Sequence, residues 1–292
     1  RKSRLAVLDQ THTKIGHRVL FFTNTGRMYR TKAYQIPEAG RQARGTAIIN
    51  LLQLQSGEKV TAMLPMPEER ENKYLMMATR DGLIKKTALD EFANLRRAGL
   101  IAVVLRDDDC LIGVQLTNGD DELLLTSRSG KTIRFSEKAV RAMGRNSMGV
   151  RSMKLAEDDR VISLNILDSQ KKVLTISENG YGKRSDPNEF RLQGRGGQGI
   201  RAAGITEKTG PLAACLMVDD TEDVMLITSE GTVIRTAASS IRLCGRASQG
   251  VRLMRVAEGS TVVDVTTLEH EDAEDTAEGT VSPEAVSPET EA

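Results

Sequence analysis

The chain has 292 residues, ample for a sizeable core in one large domain or two small ones. Its three cysteines are scattered, no apolar run approaches ~18 residues, and it has four Tyr, five Phe and no Trp. These features exclude a disulfide scaffold and a membrane-spanning helix, and they weigh against an aromatic platform for single-stranded nucleic acid.

The formal charge of +1, from 41 Lys and Arg against 40 Asp and Glu, conceals an asymmetry. Nine of the acidic residues and no Lys or Arg lie in residues 269–292, which leaves 41 basic against 31 acidic side chains before them. A body of about +10 trailed by an acidic tail points to an anionic partner for the body. No secretory leader opens the sequence, so secretion is not expected from it, but residue 1 is Arg, so it reads as a fragment in which an upstream signal or domain would not be visible.

Residues 1–18 fit no regular register, and residues 5–8 are expected to be the last strand of a truncated first blade. From residue 19 one unit comes round five times. It opens on an apolar run (19–22, 74–77, 122–125, 172–174, 223–227) and turns at a polar hairpin ending in Gly26, Gly82, Gly130, Gly180 or Gly231. Asn and Gly in such turns tolerate the positive φ of a tight hairpin. The second strand carries a basic residue four places after the turn glycine: Arg30, Lys86, Arg134, Arg184 or Arg235. Another glycine follows 17–19 residues after the first: Gly45, Gly99, Gly149, Gly199 or Gly250. A third apolar run (47–52, 101–105, 150–155, 200–205, 251–256), a polar turn and a fourth run (60–64, 112–116, 161–166, 213–218, 262–266) close the unit.

Intervals of 56, 48, 50 and 51 residues between the turn glycines mark a repeat architecture. Four short antiparallel strands at this period read as propeller blades. The expected fold is therefore all-β and propeller-like, with five clear four-stranded blades over residues 19–268 and a remnant of a sixth in residues 1–18. Residues 89–95 are the best helix candidate and are too short to change this. The tail, residues 269–292, repeats Ser-Pro-Glu and lacks the apolar content to offset ordering, so disorder is expected there.

No catalytic constellation is evident. His12, His17 and His270 fall in the irregular ends, there is no metal-ligand cluster, P-loop or nucleophile motif, and residues 194–199 lack the strand–helix setting of a dinucleotide fingerprint. Tyr29 and Tyr181 read as packing residues.

The periodic cations are more informative. One such residue would be an edge device against strand pairing, but five in register point to function. Arg41, Arg44, Arg96, Arg97, Arg145, Arg195 and Arg246 lie within a few residues of the second glycine, and Arg151, Arg201 and Arg252 follow it by two. With Lys183 beside Arg184, these positions are expected to emerge on one belt and form a curved track for phosphates, since the Arg fork pairs bidentately with phosphate. Such a belt contacts backbone, so it would be sequence-blind and salt-sensitive.

The segments 21–30, 36–41, 43–45, 49–52, 136–149 and 179–184 resemble the C-terminal domain of DNA gyrase A, and the likeness spans residues 19–268. The resemblance implies a β-pinwheel, a propeller with strands exchanged between blades, that wraps duplex DNA on its basic rim and supports ATP-dependent negative supercoiling. It implies an A2B2 assembly with the rest of gyrase A and with gyrase B in the bacterial cytoplasm, associated with the nucleoid. ATP, Mg2+ and the cleavage tyrosine belong to other parts of that enzyme, so no cofactor and no catalytic residue are expected in this stretch. One motif departs from the family pattern. The family box Gln-(Arg/Lys)-Arg-Gly-Gly-(Arg/Lys)-Gly is approached by Gln193, Gly194, Arg195, Gly196, Gly197, Gln198 and Gly199, with Gly194 and Gln198 at basic positions. The resemblance places the true box in a first blade upstream of Arg1, which puts in question full wrapping by this stretch alone. The alternatives are the equivalent domain of topoisomerase IV and, from a different class, a propeller that docks an acidic protein.

Overall fold

A computed structural model of the chain describes residues 18–36, 47–93 and 98–270. Five hairpins carry the repeat: β1 (Arg18–Thr23) with β2 (Arg27–Lys32), β4 (Tyr74–Thr79) with β5 (Leu83–Ala88), β8 (Glu122–Ser127) with β9 (Lys131–Ser136), β12 (Lys172–Ser177) with β13 (Tyr181–Ser185), and β16 (Glu222–Thr228) with β17 (Val233–Ala237). Each turn glycine donates its N–H three residues back, to Thr23, Thr79, Ser127, Ser177 or Thr228, at 2.9–3.1 Å.

The fourth runs become β3 (Val60–Pro65), β7 (Leu111–Thr117), β11 (Val161–Ile166), β15 (Leu212–Val218) and β19 (Val262–Glu269). Each pairs with the first strand of its own hairpin, and all five pairs carry a register shift at the hairpin end. A bulge there adds right-handed twist. The third runs leave their own blade. β6 (Leu100–Ile101), β10 (Val150–Arg151), β14 (Ile200–Arg201) and β18 (Val251–Arg252) each add to the outer edge of the preceding blade. Sheet orders are β3-β1-β2-β6, β7-β4-β5-β10, β11-β8-β9-β14 and β15-β12-β13-β18, so strands are exchanged as a pinwheel requires.

The first strand of the hairpin is buried on both faces in four blades. This is why those strands are continuous apolar runs rather than alternating ones. Separate cores fill successive blade interfaces: Leu20, Phe22, Leu75 and Met77 between blades one and two, Met76, Ile84, Leu123 and Phe135 between two and three, Leu124, Val173 and Phe190 between three and four, and Leu174, Ile176, Val224 and Leu226 between four and five.

Three expectations are corrected. The fifth sheet, β19-β16-β17, has three strands, since no following repeat lies among the described residues. Residues 47–52 form no strand; Ile48–Asn50 is a 3-10 turn, and Leu52 packs with Phe21 and Tyr29. The other third runs become strands only by joining a preceding blade, and no preceding blade lies among the described residues. Residues 89–95 yield only the 3-10 turn Leu89–Phe92, which buries Leu89 and Phe92. Residues 1–17 and 271–292, with the expected blade remnant and most of the tail, lie outside the described residues.

Gly250 shows how closely a donated strand is seated. Its φ is +80°, and a Cβ there would stand 2.4 Å from the Gly182 carbonyl oxygen. Gly250→Ala should therefore cost at least about 1–2 kcal/mol for the left-handed backbone alone, with the clash in addition. A fall in the thermal midpoint is expected.

Candidate nucleic-acid interface

The expected belt resolves into two rows with different surroundings. The basic residues four places after the turn glycine point between blades in the first four repeats, whereas Arg235 is exposed and bonds within its own sheet. Arg184 is 8% exposed; its Nε donates to the Ile241 carbonyl at 2.7 Å, its Nη2 to the Ser239 carbonyl at 2.9 Å, and its Nη1 pairs with Asp220. Arg134 donates to the Phe190 carbonyl at 2.8 Å and to Glu122 at 2.6 Å. Lys86 is buried, 3.6 Å from Glu137 and over the Tyr74 ring at 4.2 Å. Arg30 reaches the Ala93 carbonyl at 3.3 Å, and Arg235 bonds Asp223 at 2.6 Å and the Glu269 carbonyl at 2.9 Å. Isolated bridges join Lys86 to Ala142, Arg134 to Leu192 and Arg184 to Leu243. Lys86, Arg134 and Arg184 thus clamp the segment returning from the next repeat. The expected common face fails because a blade stacked on both sides leaves the second hairpin strand little solvent face.

The residues around the second glycine form the outward row. Arg151 and Arg201, in β10 and β14, are exposed, and their guanidinium groups meet no partner among the described residues. Arg252 in β18 is also exposed and donates to the Tyr181 hydroxyl at 2.7 and 3.0 Å. Tyr181 packs beneath Arg252, and Tyr29 is buried with its hydroxyl donating to Glu58 at 2.6 Å. Arg201 stands directly opposite Lys131, and both are exposed. Like charges across a strand pair repel, so this arrangement favours an anion lying over it. In blade one Ile101 occupies the Arg position, and the cation is across the strand at Arg27.

Arg145, Arg195 and Arg246 lie on the loops that lead into these strands. Arg195 ties back to the Ala139 and Arg151 carbonyls, and Arg246 to the Arg201 carbonyl at 2.6 Å. The segment 193–199 is thereby a rim loop, with the Gly196 N–H donating to the Ser152 carbonyl at 2.7 Å. Matching grooves of about 430 and 610 Å³ open beside the donated strands, one lined by Gly82, Arg106, Arg151 and Lys154, the next by Gly130, Lys131, Arg201 and Ser248. Arg41, Arg44, Arg96 and Arg97 lie outside the described residues.

Four rim residues escaped the sequence reading. Arg141, Arg191 and Arg242 are exposed and sit eight residues before Gly149, Gly199 and Gly250; that constant spacing was available as a signal. Lys131 had none, because its role depends on the strand opposite.

Known proteins share this repeat. The family described as the DNA gyrase C-terminal domain, beta-propeller, matches residues 17–65, 73–118, 121–168, 171–219 and 222–269, one stretch per repeat. The chain belongs to this gyrase C-terminal domain family. DNA gyrase A of Halalkalibacterium halodurans is 57% identical over 262 residues, covering 90% of this chain and 32% of that protein. Its Escherichia coli K12 counterpart is 43% identical over 245 residues, covering 84% and 28%. The chain thus spans about a third of the length of these gyrase proteins. Two solved structures share the fold: the C-terminal domain of DNA topoisomerase IV, with a TM-score of 0.80 at 24% identity over 88% of this chain and 80% of that one, and the DNA gyrase A C-terminal domain, with a TM-score of 0.76 at 23% identity over 87% and 83%.

Proposed function

We propose that this gyrase C-terminal domain binds duplex DNA along its rim and bends it around successive blades without reading its sequence. The observation that carries this is the outward row of Arg151, Arg201 and Arg252, exposed at one register position of three consecutive exchanged strands. Contacts of this kind reach phosphates and leave base edges unread. Bending 20–30 base pairs by 40–90° costs about 1–6 kcal/mol, which several phosphate contacts offset. Within a whole gyrase, alongside the rest of gyrase A and gyrase B in the bacterial cytoplasm, the bent segment would be presented for ATP-dependent strand passage that introduces negative supercoils.

The test is topological. Nicked circular plasmid is sealed by ligase with the protein bound and then deproteinised; the linking number should shift in proportion to bound protein. An unchanged linking number at saturation would defeat wrapping and leave the rival, a propeller that docks an acidic protein. Relatives at 43–57% identity are gyrase proteins, which favours gyrase over topoisomerase IV where the shared fold does not.

A further inference from the structure

Two ammonium groups are buried beneath the rim. Lys85 in β5 and Lys183 in β13 are each 0% exposed, and both stand three residues after the turn glycine. The Lys85 Nζ donates to the Ala102 carbonyl at 2.8 Å and to the Arg145 carbonyl. The Lys183 Nζ donates to the Gly245 carbonyl at 2.7 Å and to the Arg246 carbonyl. Both are held by backbone carbonyls, although burying a charge is costly and an apolar side chain would fill the space more cheaply. Blade three shows the apolar alternative. Ile133 holds the equivalent position, and its rim loop has a backbone bond in the lysine's place, from the Gly196 N–H to the Ser152 carbonyl at 2.7 Å.

What the lysines hold is the arginine-bearing loop. The Arg145 guanidinium has no partner among the described residues, while Arg246 bonds the carbonyl of exposed Arg201. Lys183 therefore supports two rim arginines in series. We propose that Lys85 and Lys183 are positioning residues for the DNA grip, each pinning from below the loop that presents Arg145, or Arg246 with Arg201, to phosphate. The proposal rests on the rim-binding reading of the domain.

This support is proton-linked. Arg145 and Glu91 face Lys85; Glu189, Arg246, Cys244 and Cys215 face Lys183. Burial pushes both lysines down to about 8, against about 10.4 in an unfolded chain. Between those values the folded state carries fewer protons than the unfolded one, so these two groups destabilise the fold below about pH 8 and that penalty lifts as pH rises. Bound phosphates favour the ammonium form, so DNA affinity should fall as pH passes about 8. The opposite signs separate loss of grip from loss of fold.

The test uses the full chain and its Lys85→Met/Lys183→Met variant. Amide exchange in residues 143–149 and 244–250 should quicken about tenfold or more in the variant and stay unchanged in residues 193–199. Its duplex affinity should fall about three- to tenfold, as expected for lost positioning of two or three phosphate contacts. From about pH 7 to 9 the wild-type affinity should fall by a similar factor, and the variant should show a flatter profile. Unchanged exchange in the two loops overturns the pinning, and faster exchange with unchanged affinity overturns its part in the grip. If the double variant does not fold, the single variants Lys85→Met and Lys183→Met decide by the same readouts, and unchanged exchange in the loop that each one holds sinks the proposal. If the wild type binds no duplex, the rim reading fails and the exchange comparison still judges the pinning on its own.

Discussion

Replacing Arg151, Arg201 and Arg252 together with Gln should lower duplex affinity roughly a hundredfold at about 0.15 M salt and leave the thermal midpoint nearly unchanged. Each phosphate neutralised contributes a slope of about −0.9 in log affinity against log salt. Three lost contacts should therefore flatten the slope by about 2.7, and extrapolated from about 1 M to 0.15 M salt this is a factor of order 10². The loss should be uniform across DNA sequences, because no base edge is involved. Stability should hold because Arg151 and Arg201 are exposed and their guanidinium groups meet no partner among the described residues, and exposed Arg252 gives up its bonds to the Tyr181 hydroxyl and its contact over the Tyr181 ring at 5.3 Å. Titrations at several salt concentrations and a melting curve suffice. An unchanged salt slope would reduce the row to a solubilising edge.

Much of the architecture is legible in the sequence because the repeat is reinforced at several levels. Turn glycines, apolar runs and second glycines recur together, so strand positions follow from period alone. Fourth runs such as Val161–Ile166 form as strands over their expected length. Exchange partners are less legible. Residues 47–52 are also an apolar run, yet of the two segments only residues 150–155 meet a preceding blade edge among the described residues; pairing is a property of the neighbour as much as of the segment. The cations show the same limit. Arg184 and Arg201 look alike in sequence, each locked to a glycine. Their fates diverge because β13 is sandwiched between blades while β14 lies on the outer edge of the preceding one. Lys85 and Lys131 pass unnoticed because their meaning comes from what stands across from them, two carbonyls in one case and Arg201 in the other.

Arg184→Met is expected to produce the converse result, a loss of stability with intact DNA affinity. The guanidinium serves the Ile241 and Ser239 carbonyls and Asp220 from a site 8% exposed, on the blade that precedes the one carrying the 3-10 turn Ala238–Ser240. Methionine fills much of the volume but supplies no donor, and losing the buried bond to the Ile241 carbonyl together with the part-buried one to the Ser239 carbonyl costs about 1–3 kcal/mol. Asp220 is exposed and can rehydrate, so a total of about 1–3 kcal/mol is expected. For a domain of this size that lowers the melting temperature by about 2–12 °C. Measured well below that transition, duplex affinity and salt slope should match wild type, because the lost charge was already turned inward. The contrast explains why reversing Arg134, Arg184 and Arg235 to Glu would be a poor test of the rim. At Arg134 and Arg184 those substitutions place carboxylates against backbone carbonyls and against Glu122 and Asp220, so binding would disappear through separation of the blades, whatever the DNA contacts, and at Arg235 the carboxylate would face Asp223 within its own sheet. Only when the outward row lowers affinity at constant stability, and the inward row lowers stability at constant affinity, are the two roles of the periodic cations separated. If Arg184→Met instead weakens DNA binding at full stability, the clamp belongs to the grip, and the division of the cations into two rows is wrong.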